Sequence, residues 1–314
     1  MTKRDFLSLA DLKPADVHEL LDLALALKSQ WRAGGQGCET QRQRLADKTL
    51  GMIFQKPSLR TRVSFDVGMS QLGGRAIYLA PEEIRLGERE SIPDAARVLS
   101  RYVDGIMARV FSHEDVLALA RWATVPVING LSDFNHPCQG LTDLLTILEK
   151  RDRLEGVKLA YIGDGNNVLH SLLYGAAQVG MHLVAATPEG YGPLAEVVQQ
   201  AKTMAVDTGA IIELFHEPRE AIRDADAVYT DTWTSMGQEE EAARRRQIFR
   251  PYQINEALLA LANRDVGVMH CLPAHRGEEI TDEVADGPQS WLFDQAENRL
   301  HAQKAILVAS YSTS

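Results

Sequence analysis

Cysteine is sparse in this chain of 314 residues: Cys38, Cys138 and Cys271 are odd in number, widely spaced and in no metal-ligand pattern. That excludes a disulfide-stapled scaffold and a structural zinc site, and it fits a reducing cytoplasm. Long apolar runs are missing too, so no segment is suited to spanning a bilayer, and no membrane partner is expected. The N-terminus lacks a secretory pattern, because the stretch from Phe6 to Leu12 is short and interrupted by Ser8 and Asp11. Internal repeats and low-complexity segments are absent. Positive charge is the scarcer sign: 33 Lys and Arg against 43 Asp and Glu give a net charge of −10. This argues against a nucleic-acid-binding surface but leaves room for a local basic pocket that attracts a small anion.

What is present is a soluble composition, 45% hydrophobic and 24% charged, on a length that suggests two domains. The apolar run Leu50 to Phe54 reads as a buried strand stopped by Pro57, and a helix begins near Ser58. Val63, Phe65, Val67 and Met69 supply an apolar side to that helix. Its first-turn N–H groups then lie beside Ser58, Arg60, Thr61 and Arg62, a combination suited to an oxyanion such as phosphate. Before it, Leu9 to Trp31 has helical spacing with Pro14 in a first turn, and Gly34 to Gly37 opens a polar loop. After it, strands are expected at Arg75 to Leu79, Gly105 to Val110 and Val125 to Asn129. Residues 81–91 read as a loop, and helices are expected at Ile92 to Tyr102, His113 to Trp122 and Pro137 to about Arg151. A second alternating half opens with a strand from Val157. It continues with strand-like runs at Met181 to Ala186, Ile211 to Phe215, Ala227 to Thr232 and Val266 to Cys271. Such alternation predicts an α/β fold of two domains, 1–150 and 151–314, each a parallel sheet flanked by helices. Ser58, Arg109, His136, Asn167, Asp231 and Cys271 all follow strand candidates, where open α/β sheets place their ligands.

Four further constellations carry chemistry. His136 and Gln139 stand at a helix start, where an imidazole can donate to a ligand carbonyl and a glutamine can receive an amide. Arg109 closes an apolar strand, a costly place for a charge without an anionic or polar partner. Gly163-Asp164-Gly165-Asn166-Asn167 resembles the start of a dinucleotide fingerprint, but Val168 occupies the third glycine position and no acid ends the next strand. A nucleotide-dependent oxidoreductase is therefore the weaker reading, and the Asn167 amide better suits a small zwitterion. Asp231 begins a polar segment in which Gly237 gives freedom and Glu239 to Glu241 form a solvated face. His270-Cys271-Leu272-Pro273 ends the last strong strand, with Cys271 read as a positioning group.

Taken together, Ser58-Leu59-Arg60-Thr61-Arg62, His136-Pro137-Cys138-Gln139, Asp231-Thr232-Trp233-Thr234-Ser235-Met236-Gly237 and His270-Cys271-Leu272-Pro273 resemble the ornithine carbamoyltransferases, in the same order and over nearly the whole chain. The resemblance implies transfer of the carbamoyl group of carbamoyl phosphate to L-ornithine, giving citrulline and phosphate in arginine metabolism, from a site in the cleft between domains. It implies that the first domain binds carbamoyl phosphate, that the second binds ornithine, and that the C-terminal helix packs back on the first. Ser58, Arg60, Thr61 and the helix N–H groups, including that of Leu59, would hold phosphate. Arg109 and His136 would face the carbonyl oxygen, Gln139 the carbamoyl amide, and Arg299 would join them. Asn167, Asp231, Ser235 and Met236 would bind the amino-acid end of ornithine, while Asp231 and Cys271 lie near its side-chain amine. The backbones of Leu131 and Leu272 would line the site. Leu59 stands where the family commonly has threonine, and Arg85 where relatives often present glutamine or histidine toward a neighbouring subunit. The family also implies a homotrimer, or an assembly of trimers, with no metal and no organic cofactor. The nearest alternative is a carbamoyltransferase for putrescine or an N-acylated ornithine.

Overall fold

Pro14 sets the first turn of α1 (Pro14–Ala33), whose buried residues Val17, Leu20, Leu21, Ala24 and Leu27 recur at helical spacing. The computed structural model describes residues 3–234 and 241–312. The polar residues after α1, expected as a loop, instead form the short α2 (Gln36–Gln41). Its buried member is a glutamine: Gln41 donates its amide hydrogen to the Leu27 carbonyl at 2.6 Å. Periodicity of apolar residues cannot reveal such a helix. β1 (Thr49–Phe54) is buried at every position, and α3 (Leu59–Gln71) and β2 (Arg75–Leu79) follow. On α3 the buried residues are Thr61, Phe65, Gly68 and Met69, whereas Val63 and Val67 are 48% and 38% exposed. Every second residue is strand spacing, so the two valines lie on the helix face opposite the two core residues.

The segment read as a loop at 81–91 holds α4 (Pro81–Ile84), started by Pro81 and by the Glu83 carboxylate accepting the Ala80 N–H at 2.9 Å. α5 (Ile92–Leu99), β3 (Gly105–Arg109), α6 (His113–Trp122), β4 (Val127–Leu131) and α7 (Pro137–Arg151) complete this part. β4 starts two residues later than expected because Pro126 has no N–H to give, and the Val127 N–H goes to the Asp5 carboxylate at 2.8 Å. All pairings are parallel, in the order β2-β1-β3-β4. Ile53, Ile106 and Ala108 of the sheet pack with Val116 and Leu119 of α6.

The second alternating stretch runs β5 (Lys158–Ile162), α8 (Asn167–Val179), β6 (His182–Ala186), α9 (Ala195–Thr208), β7 (Ile211–Phe215), α10 (Pro218–Ala221) and β8 (Ala227–Thr230). It continues with α11 (Ala242–Phe249), α12 (Glu256–Leu259), β9 (Gly267–His270), α13 (Asp282–Ala285) and α14 (Leu292–Tyr311). These strands are also parallel, in the order β7-β6-β5-β8-β9. Ala160, Ile162, Val184, Val228 and Val268 bury against Leu258, Leu259, Val284 and Leu292. The expected architecture of two parallel sheets flanked by helices is thus present.

Two units emerge from the contacts: Met1–Thr142 with Arg299–Ser314, and Asp143–Asn298. The division falls inside α7, and Arg299 onward in α14 belongs to the first unit. In each sheet the chain winds outward both ways from one adjacent pair of strands. β1 and β3 are that pair in the first unit, β5 and β8 in the second. The crevice at the carboxyl ends of such a pair is where an open α/β sheet receives its ligand. Ser58 to Thr61 and Arg109 occupy that position in the first unit, and Asp164 to Asn167 and Asp231 occupy it in the second.

Candidate active site

In the first unit, Ser58 caps α3. Its hydroxyl oxygen accepts the Thr61 N–H at 3.3 Å and donates to the Thr61 hydroxyl at 3.0 Å. Arg299, 5% exposed, gathers the sequence-distant residues: it donates to Thr61 Oγ1 at 2.7 Å and to Gln139 Oε1 at 2.8 Å, and its Nη2 lies 3.3 Å from His136 Nε2. A guanidinium has no acceptor, so Nε2 of His136 accepts and the ring hydrogen sits on Nδ1. Burial holds the His136 pKa well below the ordinary imidazole value, and Arg299, Arg109 and Arg60 push it the same way. The ring is therefore neutral, inside a strongly positive field. Arg109, the last residue of β3, is held by Gln55: Gln55 N–H donates to the Arg109 carbonyl at 2.8 Å, and Gln55 Oε1 accepts the Phe111 N–H at 2.8 Å. Lys56 adds a further cation, 4.6 Å from the Phe111 ring centroid, with its pKa lowered by burial and by Arg109.

The second unit presents the opposite charge. Asp231 follows β8 and is 5% exposed. One carboxylate oxygen accepts from the Asn166 amide at 2.7 Å and the other lies 2.9 Å from Cys271 Sγ. Asn166 caps α8, its Oδ1 accepting the N–H groups of Val168 at 2.9 Å and Leu169 at 3.2 Å. Those are the helix-end donors that a dinucleotide's pyrophosphate would need, so the chain itself uses what the weaker reading requires. Gly165 is equally committed: a Cβ there would lie 2.2 Å from the Gly192 backbone. Beside Asp231, Asp164 pairs with Arg245 at 2.6 Å, both nearly buried, and Arg245 also donates to the Trp233 carbonyl. Burial outweighs that guanidinium and pushes the Asp164 carboxyl up to about 6, with Asp231 adding to the rise.

Residues 4–149 match the family model "Aspartate/ornithine carbamoyltransferase, carbamoyl-P binding domain", and residues 155–310 match "Aspartate/ornithine carbamoyltransferase, Asp/Orn binding domain". The chain belongs to the aspartate/ornithine carbamoyltransferase family. It is 55% identical over 306 residues to the ornithine carbamoyltransferase of Anoxybacillus flavithermus, covering 98% of this chain and 96% of the relative. It is 55% identical over 304 residues to the protein named "Ornithine carbamoyltransferase, anabolic" of Pyrococcus furiosus, covering 97% of this chain and 95% of that one. The solved ornithine carbamoyltransferase from Pyrococcus furiosus superposes with a TM-score of 0.93 at 54% identity, covering 98% of this chain and 97% of that chain.

Against that family background, the remaining expected residues fall in varied places. Asn167 opens α8 beside Asn166. Leu59 is 75% exposed, so only its backbone can serve a phosphate held at the start of α3. The Leu131 carbonyl already accepts the Val110 N–H at 3.0 Å. Leu272, left-handed at φ 55°, donates its N–H to His270 Nδ1 at 2.9 Å, which places the His270 proton on Nε2, 3.0 Å from the Glu279 carboxylate. Arg85 is exposed at the left-handed end of α4 and is not part of the hydrogen-bonded group around Arg299. Ser235, Met236 and Gly237 lie outside the described residues. Cys138 is fully buried and its thiol is pushed up to about 12, which removes it as a nucleophile.

Asp231, His270 and Cys271 have ligand atoms close enough for a metal among the described residues. Yet both His270 ring nitrogens are committed to Leu272 and Glu279, so metal binding would have to break those bonds. Reading the sequence missed Asn166, Lys56 and the Asp164–Arg245 pair. For Asn166 a signal existed, since asparagine just before an apolar helix is a preferred cap.

Proposed function

We propose that this chain transfers the carbamoyl group of carbamoyl phosphate to the side-chain amine of L-ornithine, giving L-citrulline and phosphate. The observation that carries the reading is that the two sheet switch points carry charge of opposite sign: three arginines around the neutral, buried His136 at one, and a carboxylate held by Asn166 and Cys271 at the other. Ser58, Arg60, Thr61 and the α3 N–H groups bind the phosphate. Arg109 and His136 donate to the carbonyl oxygen, where charge grows as the carbon becomes tetrahedral. Arg299 orients His136 and Gln139, and Gln139 takes the carbamoyl amide.

A lysine-like amine, with a pKa of ~10.4, is protonated at neutral pH and cannot attack until that proton is lost. The Asp231 carboxylate takes the proton, and Cys271 holds the carboxylate. The nitrogen lone pair then forms the C–N bond, the C–O bond to phosphate breaks with its electron pair leaving on phosphate, and the second proton of the attacking nitrogen passes to that departing phosphate oxygen. Asn167, Ser235 and Met236 grip the amino-acid end of ornithine, with Leu131 and Leu272 lining the site. Arg85 serves the phosphate of a neighbouring subunit in a homotrimer. The three free cysteines suit a cytoplasmic protein working in arginine biosynthesis.

Purified protein given carbamoyl phosphate and ornithine should form citrulline, read colorimetrically. A preference for putrescine under the same conditions would reassign the acceptor, and inactivity with both would end the reading. Light scattering after size exclusion should return three times the 34.7 kDa chain mass, or a multiple of that trimer.

A further inference from the structure

Asn166 carries two unrelated loads with one amide. Its oxygen accepts two N–H groups of the first turn of α8, at 2.9 and 3.2 Å. Because those partners are donors, the amide orientation is settled, and the nitrogen must be the atom 2.7 Å from Asp231 Oδ2. The second Asp231 oxygen faces Cys271 Sγ at 2.9 Å. A carboxylate at a strand end can rotate about two side-chain torsions, and a donor on each oxygen removes that freedom.

We infer that Asn166 is a positioning residue for the acceptor amine: it fixes the plane of the Asp231 carboxylate and the direction its oxygens present to that amine. This rests on the reading of Asp231 as the group that receives the amine proton. The surroundings make such a donor necessary. Asp164 lies close enough to repel the Asp231 charge, and the buried Tyr161 and Tyr229 hydroxyls face the same region from β5 and β8. Arg245 answers Asp164 at 2.6 Å, while the amide of Asn166 and the thiol of Cys271 answer Asp231.

The two loads separate by substitution. In Asn166→Asp the new carboxylate caps α8 as well as asparagine does, but it turns a donor into a like charge against Asp231. Asn166→Ser keeps a cap without charge and without reach to Asp231. Both variants should unfold within a few degrees of the parent and bind carbamoyl phosphate in calorimetry with unchanged affinity. Loss of a hydrogen bond to a charged group predicts a fall of roughly 10- to 100-fold in kcat/KM for ornithine in Asn166→Ser, and a larger fall in Asn166→Asp. The acid limb of the Asn166→Asp pH profile should also move to higher pH, a shift that a capping role alone does not produce. Folded Asn166→Ser with parental ornithine kinetics would overturn the inference even if Asn166→Asp failed to fold. Citrulline formation by the unsubstituted protein tests the underlying reading separately, so the two failures are distinguishable.

Discussion

The two switch points solve opposite electrostatic problems with opposite materials. In the first unit, like charges are crowded: Arg60, Arg109 and Arg299 all act on His136, and every one of them opposes its protonation. In the second, the carboxylate Asp231 meets neutral donors, Asn166 and Cys271, while full ion pairing is reserved for Asp164 and Arg245 behind it. The difference matches the charges of the proposed substrates. A phosphate beside a carbonyl oxygen that gains charge needs concentrated positive charge that requires no rearrangement during reaction. An amine that must give up a proton needs a carboxylate held in place without a cation that would quench its basicity.

The largest effect that would break this comparison comes from the cationic side. Arg60→Gly removes a proposed phosphate donor and should lower turnover by at least ~10²–10³, the loss typical of one preorganised donor, with the circular-dichroism spectrum unchanged. Arg60 is half-buried in the first turn of α3, where the Ser58 cap persists without it. Undiminished citrulline formation by the folded variant would refute the phosphate assignment.

How much of this contrast the sequence discloses depends on whether the signal is local. β2, α6, α7 and β7 lie where hydrophobic spacing and proline place them, and the Ser58 cap is readable because a serine precedes the helix by one position. Val63 and Val67 mislead because a run of alternate apolar residues has strand spacing although the chain there is helical. Arg299 reaches Thr61 across 238 residues of sequence, which no local pattern encodes, and resemblance to a family was needed to name it. Asn166 and Asn167 are adjacent and chemically identical. Only the fold shows that the amide beside Asp231 belongs to Asn166, the capping residue.

The comparison sharpens further in the pH dependence of stability, because burial acts on a carboxyl in one unit and on an ammonium in the other. Asp164 has its carboxyl pushed up to about 6, so the folded protein holds that proton more tightly than the unfolded chain. Its contribution is fully present below the unfolded value of 3.8 and is lost as pH rises through about 6. Asp164→Asn removes this dependence and leaves a pH-independent penalty from Arg245. The unfolding free energy of the parent minus that of the variant, measured in urea, should therefore fall between pH 4.5 and 7, by on the order of 3 kcal/mol at most. A difference that stays flat would mean that Arg245 compensates the carboxylate fully.

The smallest effect belongs to Lys304 in the first unit, which shows no exposed surface and donates to the side-chain amide oxygens of Gln41 and Gln71. Its ammonium lies 4.8 Å from the centroid of the Trp31 ring. Burial lowers its pKa to about 8, so between about 8 and the ordinary 10.5 the unfolded chain binds the proton that the folded protein releases. Stability linked to this group accordingly rises with pH across that window, the reverse of the Asp164 case. Lys304→Met eliminates the rise and leaves two glutamine carbonyls without the ammonium, a penalty that does not vary with pH. The parent should gain on the order of 1 kcal/mol relative to the variant between pH 7.5 and 10, below the full value of the shift because the ammonium keeps its amide partners. Parallel urea curves at both pH values would show that the glutamine pair and Trp31 solvate the charge as well as water does, and the first unit would then tolerate buried cations away from its site as readily as within it.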